Sequence, residues 1–353
     1  MKSLLILNKK QFGYHTDSYE IAKHLKKTFS ITFLCFDSGL PPFIENDITV
    51  IYISSKGKYF QKGIRFLKAC LLEVKKEYDY YFLDYFPSCS VVRLVTKKNI
   101  ILDFRTGSVA TCRWKRKINN SFRTTETKFF DQVTLISEGL RQLLKIPSHK
   151  SFILPLGANI ISHRNKIFDS PRLFYIGTLH NRNILQTLEG LVLFLKEHPQ
   201  YRDQLSYDIV GAGYANEESK LKAYIQKKQL QKSVIIHGQK RHHAIKYLFE
   251  KSNIGVSYVP ITDYFNHQPP TKTFEYIMSG MLCIATSTNE NRKYINTKNG
   301  ILCHDNPRSF SNAIRDCIAN FPNAKSSEIR ETLRGNSWDI VAEQFGNILL
   351  NGK

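Results

Sequence analysis

Short apolar runs rich in β-branched and aromatic residues alternate with amphipathic stretches along the whole chain. In the first half, the pattern predicts strands at residues 4–7, 31–36, 81–84, 100–103, 133–136 and 152–154. Two amphipathic stretches, 18–27 and 63–76, predict helices between these strands. Strands that alternate with helices of this length are typical of a parallel sheet covered on both faces.

The same alternation restarts in the second half, after the segment Pro155-Leu-Gly-Ala158 and a polar stretch that extends to residue 171. Strands are predicted at residues 173–176, 206–210, 234–237, 254–258 and 282–285, and helices at 183–197, 217–227, 243–249 and 272–279. We therefore expect an α/β protein with two doubly wound domains. The first covers residues 1–160 together with a returning helix at about 337–353, and the second covers residues 161–336.

The composition is that of a globular protein with a large excess of positive charge. Of 353 residues, 51 are Lys or Arg and 30 are Asp or Glu, which gives a net charge of +21. Residues 1–164 carry 27 of the basic and 13 of the acidic side chains. Such an excess favours an anionic partner: a nucleic acid, an anionic membrane surface or a phosphorylated substrate. The basic segment Arg113-Trp-Lys-Arg-Lys117 fits an anionic lipid interface and a solvated loop equally well.

Cysteine usage and hydropathy give an expectation about the compartment. The seven cysteines form no CxxC pair, which favours a reducing environment over a disulfide framework or a structural zinc site. The apolar run at the start of the chain is too short for a signal peptide, and no stretch approaches the roughly 18 apolar residues of a membrane span. We expect a cytoplasmic protein, either soluble or peripheral on the inner face of the membrane.

The segment Gln268-Pro-Pro-Thr-Lys-Thr-Phe-Glu-Tyr carries the strongest chemical signal. Thr271 is predicted to cap a helix that Gly280 ends in the left-handed conformation. Lys272 and Glu275 lie three residues apart, so they share one face of the first turn. A lysine at a helix N-terminus favours an anion, and a carboxylate one turn deeper fits a ribose diol. The alternative is an exposed salt bridge between the two side chains.

Three glycine turns follow predicted strands of the second domain. In Leu173-Phe-Tyr-Ile-Gly-Thr-Leu-His-Asn-Arg182, the amides at Gly177 and Thr178 could approach a phosphate, and Arg182 could pair with it. The turn Val210-Gly-Ala-Gly213 is only a partial glycine fingerprint. At His237-Gly-Gln239, the backbone of Gly238 and Gln239 could support a nucleobase.

In combination, these elements resemble the donor domain of the GT-B glycosyltransferases, in particular the large retaining family 4, the group 1 transferases. The resemblance covers residues 173 to about 303, and its most specific part is Pro270-Thr-Lys-Thr-Phe-Glu-Tyr-Ile-Met-Ser-Gly280. It implies two Rossmann-like domains that face a central cleft. It also implies that Lys272 and Thr273 lie at the donor diphosphate, with Glu275 at the ribose, and that no metal or resident cofactor is needed.

The resemblance is looser elsewhere. Family members often carry a glutamate eight positions before the ribose glutamate, where this chain has His267. In the first domain, Gly13 lies in a loop that resembles the family's glycine loop facing the donor. Asp103 and Arg105 follow a predicted strand, where open α/β sheets bind ligands. We take Asp103, Arg105 and His267 as the catalytic candidates, although a strand-end aspartate is as often a turn cap.

The expected function is transfer of a sugar from a UDP- or GDP-sugar to a glycan or a polyprenyl-diphosphate-linked glycan. Capsule, O-antigen or exopolysaccharide assembly would fit, without a nucleic-acid partner. Three alternatives stay open: a basic nucleic-acid-binding protein, a GT-B-fold epimerase or phosphorylase, and a degenerate binder. The first lacks a recognisable reading motif.

Overall fold

The computed structural model describes residues 1–96, 98–110, 112–214, 216–240, 242–320 and 322–351. It divides into two compact units. The first unit comprises Met1–Gly157 and Trp338–Lys353, and the second comprises Ala158–Ser337.

The first unit is built on a seven-stranded parallel sheet. Its strands are β1 (Lys2–Leu7), β2 (Phe29–Asp37), β3 (Ile48–Ser54), β4 (Tyr80–Asp84), β5 (Ile100–Phe104), β6 (Gln132–Leu135) and β7 (Ser151–Ile153). Their order is β3-β2-β1-β4-β5-β6-β7, and every neighbouring pair is parallel. The order reverses between β1 and β4, so the connections on either side of this point wind in opposite directions along the sheet.

Helices cover both faces of this sheet. They are α1 (Thr16–Leu25), α2 (Tyr59–Glu73), α3 (Ser90–Val95), α4 (Arg113–Glu126), α5 (Glu138–Leu143) and the C-terminal helix (Trp338–Asn351). The C-terminal helix packs on α1, where a Cβ added at Gly346 would lie 3.1 Å from the Leu25 side chain. The ring of Phe345 contacts that of Phe82 in β4, with centroids 4.4 Å apart. The last helix of the chain is therefore part of the core of the first unit.

The second unit contains a six-stranded parallel sheet. Its strands are β8 (Arg172–Ile176), β9 (Ser206–Val210), β10 (Val234–Ile236), β11 (Ile254–Ser257), β12 (Leu282–Thr286) and β13 (Gly300–Cys303), in the order β10-β9-β8-β11-β12-β13. Its helices are α6 (Ile184–Glu197), α7 (Glu217–Lys227), α8 (Lys246–Lys251), α9 (Thr271–Met278), α10 (Asn291–Tyr294), α11 (Pro307–Asn320) and α12 (Ser326–Glu331). Here the order reverses between β8 and β11.

The hydrophobic pattern predicted the buried strands and missed two strands at sheet edges. Every residue of β5 and of β12 is buried, as expected for a strand covered on both faces. In the described part of the chain, strand β3 pairs with β2 alone and has no buried position, although its sequence is rich in β-branched residues. Strand β13 pairs only with β12 and begins at a glycine. The signal of β13 is weak because the strand is short and starts at a glycine, whereas the β-branched run of β3 was a signal that the prediction overlooked.

One local prediction was wrong, and one alternative is excluded. The basic segment at residues 113–117 forms the first turns of α4, which excludes the alternative of a loop. Thr271 does not cap α9, because Pro270 holds the cap position and Thr271 is the first helical residue. Gly280 has a φ of 73°, as predicted for a residue that ends a helix in the left-handed region. In the described residues, no helix has both the length and the apolar composition needed to cross a membrane.

The packing of the C-terminal helix gives a test of its role. Phe345 is fully buried, so Phe345→Ala should lower the free energy of unfolding by about 3–5 kcal/mol, the cost of removing a buried aromatic ring. Leu350→Ala on the same helix, where the side chain is 41% exposed, should change it by less than about 0.5 kcal/mol. Urea unfolding measures both variants, and equal losses would contradict the assignment of this helix to a core.

Candidate functional site

The turns at the carboxyl edge of the second sheet lie against one another without side chains between them. The amide of Gly177, after β8, donates to the carbonyl of Val210 at 3.1 Å, and the amide of Gly211 donates to the carbonyl of Gly238 at 2.9 Å. A Cβ on Gly211 would lie 1.8 Å from the Gly177 carbonyl oxygen. Gly177 and Gly211 have φ values of 142° and 154°, which favour glycine. The glycines therefore let three successive turns form one continuous backbone surface.

Lys272 lies at the first turn of α9 beside this surface. Its side chain is buried, and the Nζ atom makes no hydrogen bond in the described part of the chain. The ammonium lies 3.8 Å from the centroid of the Tyr175 ring and 3.5 Å from the place where a Cβ of Gly177 would stand. Burial lowers the pKa of Lys272 well below its usual value, and the nearby Arg182 guanidinium lowers it further. A buried cation that contacts an aromatic ring but has no hydrogen-bond partner indicates a site for an anion.

Glu275 lies one turn deeper on the same helix and is half-buried. Burial raises the pKa of its carboxyl to about 7, against the opposing effect of Lys272. Among the described residues, the Lys272 ammonium has no hydrogen-bond partner, so it makes no hydrogen-bonded ion pair with Glu275. The alternative of an exposed salt bridge between them is therefore wrong, because Lys272 is buried and its charge is unpaired.

Arg182 lies on the connection between β8 and α6 and adds a second cation. Its guanidinium stacks on the Phe265 ring at 4.4 Å, and its charge acts on both Lys272 and Tyr175. His267 ends the short turn Phe265–His267 and is half-buried. The structure thus brings Lys272, Arg182 and the Gly177 turn together, and it places His267 on the turn that supports Arg182.

The other predicted site residues of the second unit differ in their exposure and in their hydrogen bonds. Thr178 is exposed, and its carbonyl accepts a hydrogen bond from the Tyr175 hydroxyl at 2.6 Å. Gly238 has a φ of 65°, and Gln239 beside it is exposed. Thr273 is fully buried, and its hydroxyl bonds Ser257 at 2.6 Å and Asn291 at 3.1 Å. The Thr273 side chain therefore serves the core of the unit and not the glycine surface.

Asp103 and Arg105 are buried in the first unit. The Nε atom of Arg105 donates to Asp17 at 2.6 Å, and its other nitrogens donate to the carbonyls of Leu154 and Pro155. Asp103 accepts from the Thr134 hydroxyl at 2.7 Å. In this structure, Arg105 ties the end of β5 to α1 and to the segment after β7, and Asp103 ties β5 to β6. Direct contact with a substrate stays a prediction.

Sequence reasoning missed two charged residues at the point where the first sheet reverses. Lys9 follows β1 and Asp84 ends β4, and both are half-buried. Burial raises the pKa of Asp84 to about 8, and the negative charge of Asp103 adds to the shift. Burial also lowers the pKa of Lys9. The available signal was the strand-end position of Asp84, which is the same signal that selected Asp103.

Gly13 lies in the loop between β1 and α1, with a φ of 86°. The ring of Phe43 covers it so closely that a Cβ would lie 2.3 Å from a ring carbon. This loop is therefore shaped around a glycine, in the first unit. In the described ranges, no three His, Cys, Asp or Glu side chains lie close enough together to hold a metal ion.

Comparisons with known proteins show what the chain and its fold are similar to. Residues 170–320 match the family described as "Glycosyl transferases group 1". No curated protein matches the chain. Sucrose-phosphate synthase of Thermosynechococcus elongatus is 16% identical, with a TM-score of 0.76, and 99% of each chain is covered.

Two other solved structures are similar over the whole chain. HepE of Anabaena, crystallised with UDP and glucose, is 13% identical, with a TM-score of 0.75 and coverage of 99% of this chain and all of HepE. The lipopolysaccharide outer core galactosyltransferase WaaB in its apo form is 15% identical, with a TM-score of 0.70 and full coverage of both chains. At these identities, the likeness shows the fold.

The unpaired charge of Lys272 predicts an unusual stability effect. Lys272→Met should raise the free energy of unfolding of the ligand-free protein at neutral pH by about 1–3 kcal/mol, because it removes a desolvated cation and keeps the packing volume. The native pKa of Lys272 is depressed, so the unfolded chain holds this proton more tightly. The stability of the wild type should therefore rise with pH between the depressed native pKa of Lys272 and the ordinary lysine pKa of the unfolded chain. The variant should lack this rise.

Denaturant unfolding at about pH 7 and about pH 9 measures the effect. Lys298→Met, at an exposed lysine of the same unit, is the matched control and should leave stability almost unchanged. A clear loss of stability in Lys272→Met would mean that the ammonium has a stabilising partner.

Proposed function

Because the chain is a glycosyltransferase of the GT-B fold whose residues 170–320 belong to the group 1 glycosyl transferases, we propose that its donor is a nucleoside-diphosphate sugar bound in the second unit. The proposed acceptor is a glycan or a lipid-linked glycan, in the assembly of a surface polysaccharide. The transfer is proposed to retain the anomeric configuration and to need no metal.

One observation carries this proposal: the ammonium of Lys272 is buried without a hydrogen-bond partner at the N-terminus of α9, beside the Gly177 turn. Open α/β sheets bind ligands at the carboxyl edge where the strand order reverses, and here that place lies between β8 and β11. A diphosphate would supply the missing counter-charge and would accept hydrogen bonds from the backbone amides of the turn and the helix.

The same groups suit the chemistry of the leaving group. Breaking the bond to the sugar leaves a nucleoside diphosphate with increased negative charge. Lys272 and Arg182 would stabilise that charge in a water-poor site, where fixed cations act strongly. Glu275 would accept hydrogen bonds from the ribose hydroxyls, and such bonds favour its ionised form over the protonated form that burial favours.

Two solved relatives support the choice of a uridine nucleotide and of a surface polysaccharide. HepE was crystallised with UDP-glucose as well as with UDP and glucose, and WaaB is a galactosyltransferase of the lipopolysaccharide outer core. We therefore take UDP and UDP-sugars as the first ligands to test. GDP is the second choice.

Helix α4 supports binding to an anionic membrane surface. Trp114, Ile118 and Phe122 lie at successive four-residue steps on this helix and are 60%, 58% and 47% exposed. Lys115 and Lys117 beside them are exposed as well. Exposed apolar side chains flanked by lysines are typical of helices that lie in a membrane interface. We propose that the protein works in the cytoplasm, attached peripherally to the inner face of the membrane.

Nucleotide binding can be measured by thermal unfolding with UDP, GDP and ADP. A nucleotide at about 100 times its Kd should stabilise the native state by about 2.7 kcal/mol. We expect this shift with UDP and its loss in Lys272→Met, because the diphosphate then lacks its buried cation. Glu275→Ala should weaken it by about tenfold in Kd, the loss of hydrogen bonds to a ribose. Lys298→Met again serves as the control.

Turnover separates a transferase from other reactions of the same fold. UDP release from a UDP-sugar should depend on an added glycan acceptor, whereas an epimerase would convert the donor without one. A folded protein that shows no shift with any nucleotide, and binds DNA in a salt-dependent manner, would contradict the proposal.

Membrane binding is tested with vesicles of phosphatidylcholine, with and without phosphatidylglycerol. Binding should require the anionic lipid and should shift the emission of Trp114 to shorter wavelength. Lys115→Gln with Lys117→Gln should weaken binding by roughly 30-fold, because each lysine contributes about 1 kcal/mol at an anionic surface. The same change at the exposed Lys220 and Lys227 of α7 is the control. Equal losses in both double variants would mean that net charge, and not α4, causes binding.

A further inference from the structure

An apolar cavity opens at the carboxyl edge of the first sheet, next to the point where the strand order reverses. It has a volume of about 360 Å³, within the range of small-molecule sites. Lys9, after β1, and Phe36, near the end of β2, line one part of it. Phe86, just after β4, and the first half of α2 line the rest. The cavity lies wholly within the first unit.

The floor of the cavity consists of three aromatic rings in mutual contact. The Phe36 and Phe66 centroids are 4.7 Å apart, and those of Phe66 and Phe86 are 5.2 Å apart. At the rim, Tyr59 and Phe60 begin α2 and are 85% and 76% exposed. These two adjacent aromatic side chains are exposed to water next to an apolar cavity. An apolar ligand that covered them would be stabilised by the burial of their apolar surface.

The polar groups of the cavity are mainly cationic. Its described lining includes Lys9 and Lys62, the hydroxyl of Ser88, and no carboxylate. The Nζ atom of Lys9 lies 5.9 Å from the Phe86 ring centroid, so this cation borders the aromatic floor. A free sugar would need many more hydrogen-bond partners than this lining offers. The combination instead fits a ligand with an apolar body and an anionic end.

We propose that this cavity binds the apolar chain of a lipid phosphate or diphosphate, with the phosphate beside the ammonium groups of Lys9 and Lys62. The inference rests on the proposed transferase function, since it makes this lipid the carrier of the acceptor. A concave site of this size takes a single chain, in contrast to α4, whose exposed residues form a convex surface. The cavity would therefore select the acceptor by its lipid and not by its sugar.

Gly63 allows the cavity to be filled without disturbing the fold. It lines the cavity on α2, and a Cβ at this position would meet no atom within 4 Å. Gly63→Leu should therefore occupy the cavity, and it should also favour the helix, in which glycine costs about 1 kcal/mol relative to alanine. Gly63→Ala is the matched control, because it also favours the helix but fills far less of the cavity.

The probe is farnesyl phosphate, titrated calorimetrically below its micelle concentration, with farnesol for comparison. We expect saturable binding to wild type and to Gly63→Ala, and at least a tenfold weaker affinity in Gly63→Leu. Lys62→Gln should weaken the binding of farnesyl phosphate but not that of farnesol, because farnesol has no charged group that could pair with Lys62. Either loss of about tenfold corresponds to about 1.4 kcal/mol.

Lipid binding in the first unit and nucleotide binding in the second unit can be measured separately. The UDP-induced thermal shift reports on Lys272 in the second unit and should be unchanged in Gly63→Leu. No saturable binding of farnesyl phosphate, or equal affinity in Gly63→Leu and Gly63→Ala, would overturn the inference while the UDP shift persists. Self-association that Gly63→Leu abolishes, without farnesyl phosphate binding, would instead assign the cavity to a second copy of the chain.

Discussion

The parallel arrangement of the strands is the constraint on which both candidate sites depend. Because neighbouring strands are parallel, the turns that follow the strands of a sheet lie at one edge, and the reversal of strand order leaves a gap between two of them. In the second sheet, this gap is bordered by the Gly177 turn and Lys272. In the first sheet, it is bordered by Lys9 and Asp84. The fold thus fixes where ligands can bind, and the side chains at each gap determine which ligands.

The proposed donor site is arranged at a cost to the ligand-free protein. Lys272 keeps a buried ammonium without a hydrogen-bond partner, and burial pushes the pKa of Glu275 to about 7. Neither arrangement stabilises the fold by itself, since an isolated buried charge is unfavourable. Both become favourable when a diphosphate and a ribose supply the missing partners. Buried ion pairs elsewhere, such as Arg105 with Asp17, lack this property because their charges are already matched.

The sequence predicted those features that depend on local pattern. The position of Lys272 at a helix start and of Gly177 after a strand followed from strand, turn and helix signals, and Gly280 ended its helix as expected. The burial of Arg105 did not follow, because its partners Asp17 and Leu154 are distant in sequence. The apolar cavity was missed for the same reason, since β1, β2, α2 and the turn after β4 all contribute to it.

The excess of positive charge does not explain the proposed donor site, because surface lysines and the buried Lys272 act in different ways. The lysines of α4 are exposed, so solvent and salt screen them, and each contributes little unless an anionic surface is near. Lys272 is a single buried cation whose effect is screened far less. In the proposed function, one deep lysine would therefore contribute more to nucleotide binding than many surface lysines, whereas the surface lysines would act at an anionic membrane. The proposed location of the protein thus rests on its surface lysines, and the proposed donor binding rests on the buried charge of Lys272.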